Sequence, residues 1–129
     1  MNGAVGDGDK YQEPGNPLGW TTWQVVKKST ELHNPGPSDV WVFSDEHPDS
    51  VDDALMYVAN YPVLSFTELP GSQHAGACGM AFADGHSIIH KWLGSVANRP
   101  LVKFITVQRV PCTIDDPDML YLAAHTPIN

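Results

Sequence analysis

The sequence predicts a single α+β domain over residues 1–129, with a small antiparallel β-sheet, one or two short helices and long ordered loops. Three observations lead there. A chain of 129 residues has the usual length of one compact domain, and 42% hydrophobic residues supply a core. Eleven Gly and eleven Pro interrupt the chain too often for long helices. Short apolar runs rich in β-branched and aromatic residues alternate with turn signals, of which Asp84-Gly85 is the clearest.

Residues 1–19 read as an irregular arm, broken repeatedly by Gly and Pro. Trp20, Trp23 and Val26 then recur at helical spacing, with Lys27 at the edge of that face. A short amphipathic helix ending near Leu32 and capped by Thr21 or Thr22 is preferred, although Thr, Trp and Val also suit a strand. Asn34-Pro35-Gly36-Pro37-Ser38 is a turn. Val40-Trp41-Val42-Phe43 reads as a central strand buried on both faces. Residues 54–66 are expected to run into a second strand ending near Phe66, followed by a turn at Leu69-Pro70-Gly71.

Cys78–Ala83 and His86–Trp92 flank Asp84-Gly85, which suits a two-residue type I′ hairpin turn. That turn would oppose Ala83 to His86, Ala81 to Ile88 and Gly79 to His90, with Phe82, Met80 and Ile89 clustered on the other face. Leu101–Val107 is another expected strand. Pro117 fits the first turn of a helix over about 117–125, capped by Asp115 or Asp116.

Seven Lys and Arg against fifteen Asp and Glu leave a net charge of −8. This makes nucleic acid and anionic membrane surfaces poor partners, so neither is expected, and it suits divalent cations or neutral glycans better. No run approaches the ~20 apolar residues of a membrane span, and the N-terminus lacks the pattern of a signal peptide, so a soluble chain is expected. Two cysteines, Cys78 and Cys112, make no framework, and two free thiols are as reasonable as one bridge.

Polar chemistry gathers in two segments. Asp45–Asp53 holds four Asp, one Glu and one His. Crowded oxygens suit a hard cation such as Ca²⁺, though the spacing is not that of an EF-hand; the alternative is a solvated loop whose carboxylates cap turns. The second segment, His74–His90, holds three histidines. His86 and His90 share one strand face but stand roughly 13 Å apart, so a Zn²⁺ site would need His74 or His47 to join one of them. Otherwise these histidines bond to backbone or carboxylates. There is no Gly-x-Ser-x-Gly, no catalytic Cys signature and no phosphate loop. Paired carboxylates for glycoside hydrolysis are available among Glu46, Asp49, Glu68 and Asp84, and most of the four tryptophans are expected in the core.

Two ordered motifs carry a family likeness. Asn34-Pro35-x-Pro37-Ser38 is followed by Val42-Phe43-x-Asp45-Glu46-His47-Pro48-Asp49-Ser50, and His74 precedes Asp84-Gly85 by nine intervening residues. Together they resemble prepilin-like proteins, of the type II secretion pseudopilin kind, from Planctomycetes and Verrucomicrobia. The likeness covers about 30–95 well and the ends loosely. It implies a β-rich periplasmic or extracellular head whose partners are other pseudopilin or secretion-assembly subunits. The family's N-terminal cleavage motif and long apolar helix are not in this sequence, so a truncated or internally started chain is expected. The oxidising location it implies would permit a Cys78–Cys112 disulfide.

The leading expectation is therefore a non-enzymatic assembly head whose acidic loop is ordered by Ca²⁺ through Asp45, Glu46, Asp49 and Asp52, with Asp53 in reserve. The calcium of major pseudopilins lies in a C-terminal loop, so its transfer here is by analogy. The competing expectation is an extracellular hydrolase acting on neutral polysaccharide, with Glu46 as general acid and Asp49 or Asp84 as base or nucleophile. In either case Asp45–Asp49 and the hairpin tip Asp84-Gly85-His86 are expected at one sheet edge. There a carboxylate would orient His86 or His74, as a structural clamp or, less readily, as part of a Zn²⁺ site.

Overall fold

The computed structural model of the chain describes residues 26–52, 55–56, 65–101 and 109–127. Five strands and one α-helix run along them: β1 (Trp41–Ser44), β2 (Ser65–Phe66), β3 (Ala77–Phe82), β4 (Ser87–Lys91), β5 (Val110–Pro111) and α1 (Pro117–Ala124). One antiparallel sheet has the order β1-β3-β4, and β2 pairs with β5 in a second. This is the α+β class read from composition and punctuation.

The hairpin forms where expected, one residue out of the expected register. Cys78 pairs with His90, Met80 with Ile88 and Ala81 with Ser87. The loop is three residues long: Phe82 N–H bonds to His86 O at 2.9 Å and Gly85 N–H to Phe82 O at 3.0 Å. Gly85 takes φ +96° while Asp84 keeps a negative φ, so the turn is a type I turn closed by a glycine bulge instead of type I′. Asp84 favours it because its Oδ1 accepts the backbone N–H of His86 at 3.1 Å. A one-residue slip exchanges faces. His86, Ile88 and His90 therefore share the core side with Cys78, Met80 and Phe82, leaving Ala77, Gly79, Ala81, Ser87, Ile89 and Lys91 on the other.

β1 is an edge strand, and β3 is the centre. Trp41 is fully buried opposite Phe82, whereas Phe43, opposite Ala81, is 58% exposed. The continuous apolarity of residues 40–43 thus serves two different faces across an irregular register at Val42 and does not signal double burial. Ser65–Phe66 is the described end of the expected second strand. Leu69-Pro70-Gly71 is not a turn: Pro70 bridges Glu46 in an antiparallel pair, and the turn comes at 73–75. At the start of the described chain, Ser29–Glu31 is a 3-10 turn. Residues 1–25, most of the expected strand Leu101–Val107, and Asp53 lie outside the described residues.

The main core joins Trp41, Phe66, Leu69, Met80, Trp92 and Leu122, among others, so the hairpin, both sheets and α1 close on one another. The expected helix begins at Pro117 with Asp116 as its cap, Oδ1 accepting from Asp118 N–H and Met119 N–H, each at 3.0 Å. Asp118, 1% exposed, accepts Leu93 N–H at 2.9 Å and Gly94 N–H at 2.8 Å, which ties the helix start to the chain leaving β4.

Candidate functional site

Past β1 the acidic segment runs antiparallel to the strip Leu69–Gly71. His47 N–H bonds to Leu69 O at 2.9 Å and Gly71 N–H to Asp45 O at 2.7 Å. The two backbones are so close at Gly71 that a Cβ there would lie 2.9 Å from the Cβ of Asp45. A turn follows, with Ser50 N–H bonded to His47 O at 2.8 Å. Ser50 Oγ accepts Leu69 N–H at 2.9 Å.

His47 lies inside this turn, 2% exposed. Its Nδ1 is 3.1 Å from Asp49 N–H and its Nε2 3.1 Å from Arg99 O. A backbone N–H only donates and a carbonyl only accepts, so the ring is the neutral Nε2–H tautomer. Ser72 Oγ donates to the same Arg99 carbonyl at 3.0 Å, and Trp92 Nε1 donates to Gly71 O at 2.7 Å. The centre of the motif is thus a hydrogen-bonded joint between three separate stretches of chain.

The residues expected to act together differ in exposure. Asp49 is 1% exposed, whereas Asp45 and Asp52 are exposed and Glu46 is half-buried. Among the described residues no group of three or more His, Cys, Asp or Glu side chains is placed to hold a metal ion. The four expected calcium ligands form no such group among the described residues.

The two motifs do not meet either. β1 is antiparallel to β3, so the chain leaving β1 lies where β3 begins: Asp45 Oδ2 accepts Gly79 N–H at 3.1 Å. Asp84-Gly85-His86 lies beyond the other end of β3. Each half of the expected clamp forms separately. His86 Nδ1–H donates to Asp84 Oδ1 at 2.6 Å, and the backbone N–H of His86, followed by that ring, holds the Asp84 carboxyl below the usual carboxylate range. At the opposite end His74 Nε2 stands 3.8 Å from Asp45 Oδ2, both well exposed, a geometry that adds little stability. Cys78 and Cys112 are free thiols. Cys78 Sγ contacts Ser44 Oγ at 3.5 Å, and burial pushes the Cys78 thiol up to about 11, which leaves it protonated and inert.

A belt of rings between β4 and α1 was missed in the sequence. Tyr121 is sandwiched between His90 (3.8 Å between ring centres) and His125 (4.1 Å), and His90 meets Trp92 edge-on at 4.6 Å. His86 stacks on Phe82 at 4.4 Å. His125 Nδ1–H donates to Tyr121 O at 2.7 Å. The i, i+4 pair Tyr121 and His125 was the available signal, but its partner His90 depends on the hairpin register.

Burial lowers the His90 pKa from its ordinary 6.5; Asp118 opposes this and His125 adds to it. The unfolded chain therefore takes up this proton first as pH falls. His90 contributes stability that is complete above about pH 6.5 and is lost as pH falls toward its lower folded value. Urea unfolding at pH 7.5 and pH 5.5 checks this: His90→Phe should lose less stability between the two than the wild type. An equal loss would remove His90 from the account.

Two grooves are lined by described residues. One, of about 420 Å³, lies on the open face of β1-β3-β4 and includes Phe43, Asp45, Gly79, Ala81 and Ile89. The other, of about 200 Å³, lies between Val26–Leu32 and Val42. Neither is lined by Glu46, Asp49 or Asp84. No protein-family model, curated protein or solved structure matches the chain.

Proposed function

We propose that this domain is the head of a pseudopilin-like secretion or surface assembly protein, non-catalytic and placed in the periplasm or outside the cell. One observation supports the reading above others. Three polar residues of the motif that carries the family likeness, His47, Asp49 and Ser50, are buried, and the side chains of His47 and Ser50 are hydrogen-bonded to the backbone of distant stretches. Side chains so committed act as architecture, whereas a hydrolase needs two carboxyl groups facing one substrate cleft, roughly 5–9.5 Å apart.

A photo-crosslinking residue placed at Ile89, which is 70% exposed, tests the proposal in the organism that makes the protein. Adducts with subunits bearing a prepilin-type leader are expected. Absence of such adducts, or turnover of polysaccharides or chromogenic glycosides that Glu46→Gln abolishes, would sink it.

The density of carboxylates at 45–53 is what supports a bound Ca²⁺ in this head. A cation that draws Asp45, Glu46 and Asp52 together should raise the unfolding midpoint by several degrees in millimolar calcium relative to chelator. Coincident curves would remove it.

A further inference from the structure

The open face of the three-stranded sheet has an unusual profile. Its central strand presents only small residues, with Gly79 and Ala81 at the floor of the 420 Å³ groove. The flanking strands raise Phe43 on one side and Ile89 on the other, 58% and 70% exposed. Since β1 and β4 stand two strand spacings apart, about 9.6 Å, the result is an apolar trench wide enough for one segment of polypeptide. Of the residues lining it only Asp45 is charged, its carboxylate 53% exposed; Lys91 lies on the same face two residues beyond Ile89, outside the groove lining.

Resting on the assembly reading, we propose that this trench docks a segment of a partner protein that is both apolar and basic. A large aliphatic or aromatic side chain lies over Gly79 and Ala81, between Phe43 and Ile89, and a lysine or arginine sits against Asp45. Charge decides the occupant. The lining is negative, and a second copy of this chain brings a further net charge of −8, so self-association across this face is opposed while a cationic partner is attracted.

Three ten-residue peptides in a Gly/Ser background, carrying repeated Leu–Lys, Leu–Glu or Ser–Lys pairs, are titrated into isotope-labelled protein and followed by amide chemical shifts. The Leu–Lys peptide is expected to shift 43–45, 79–81 and 87–89 and to bind at least tenfold more tightly than the other two. Ile89→Ser and Asp45→Asn should each weaken it at least fivefold while leaving distant amides unmoved, the sign that the variants still fold. Equal affinity for the Leu–Lys and Leu–Glu peptides, shifts elsewhere, or no shifts at all would overturn the proposal. So would shifts in the same residues on concentrating the protein alone, which would assign the trench to a second copy. Adducts from position 89 without Leu–Lys binding would overturn this partner chemistry and leave the assembly reading standing. Loss of the adducts removes that reading itself.

Discussion

Asp118→Ala is expected to lower stability by about 3 kcal/mol, since two hydrogen bonds to a buried charged group are lost at once. The carboxylate accepts Leu93 N–H at 2.9 Å and Gly94 N–H at 2.8 Å from a position 1% exposed. Alanine leaves both donors unpaired and detaches the first turn of α1 from the chain leaving β4. Asp118→Asn keeps one acceptor oxygen and should cost roughly half as much. The second readout is His90, whose pKa Asp118 raises. In Asp118→Asn the His90 ring should titrate lower than in the wild type, as followed by its NMR resonances. A urea midpoint within error of wild type for Asp118→Ala would mean that these N–H groups find water instead.

His47→Ala should destabilise the fold by about 2–4 kcal/mol, because it removes one buried acceptor and one buried donor together. Asp49 N–H loses Nδ1 and Arg99 O loses Nε2–H, although Ser72 Oγ still reaches that carbonyl. His47→Asn separates the two bonds. Its side-chain oxygen can take the Asp49 N–H in a local turn but does not reach Arg99, so a loss near half that of alanine is expected. If asparagine and alanine cost the same, the Arg99 contact carries the effect. If neither costs more than about 0.5 kcal/mol, the size of an ordinary surface change, His47 is not the joint described here.

Where local chemistry suffices, sequence and structure agree. Pro117 at the first helical position with Asp116 before it defines the start of α1, because capping involves only the next three residues. Asp84-Gly85 similarly guarantees a hairpin. It does not guarantee the register, since Asp-Gly serves a two-residue and a three-residue loop alike, and the choice rests on whether Asp84 adopts positive φ. The Asp84 bond to His86 N–H holds it out of that region.

The candidate site was less visible, for the same reason carried over longer distances. Acidic density at 45–53 suggested a ligand cage, yet the fate of Asp49 and His47 depends on Arg99 and Leu69, which no local pattern connects to them. The ring belt required the register of β4 and the docking of α1 together, so Tyr121 gave no hint that His90 was its neighbour.

By itself the sequence determined the α+β class, the hairpin, the capped helix and a net charge of −8, because composition, turn chemistry and capping act within a few residues. Tertiary structure alone decided that β3 is the central strand, that Asp45 and Asp84 stand at opposite ends of it, and that the motif histidine is buried. Those outcomes follow from the antiparallel pairing of β1 with β3, which carries the chain from one end of the sheet to the other and sets residues far apart in sequence into hydrogen-bonding distance.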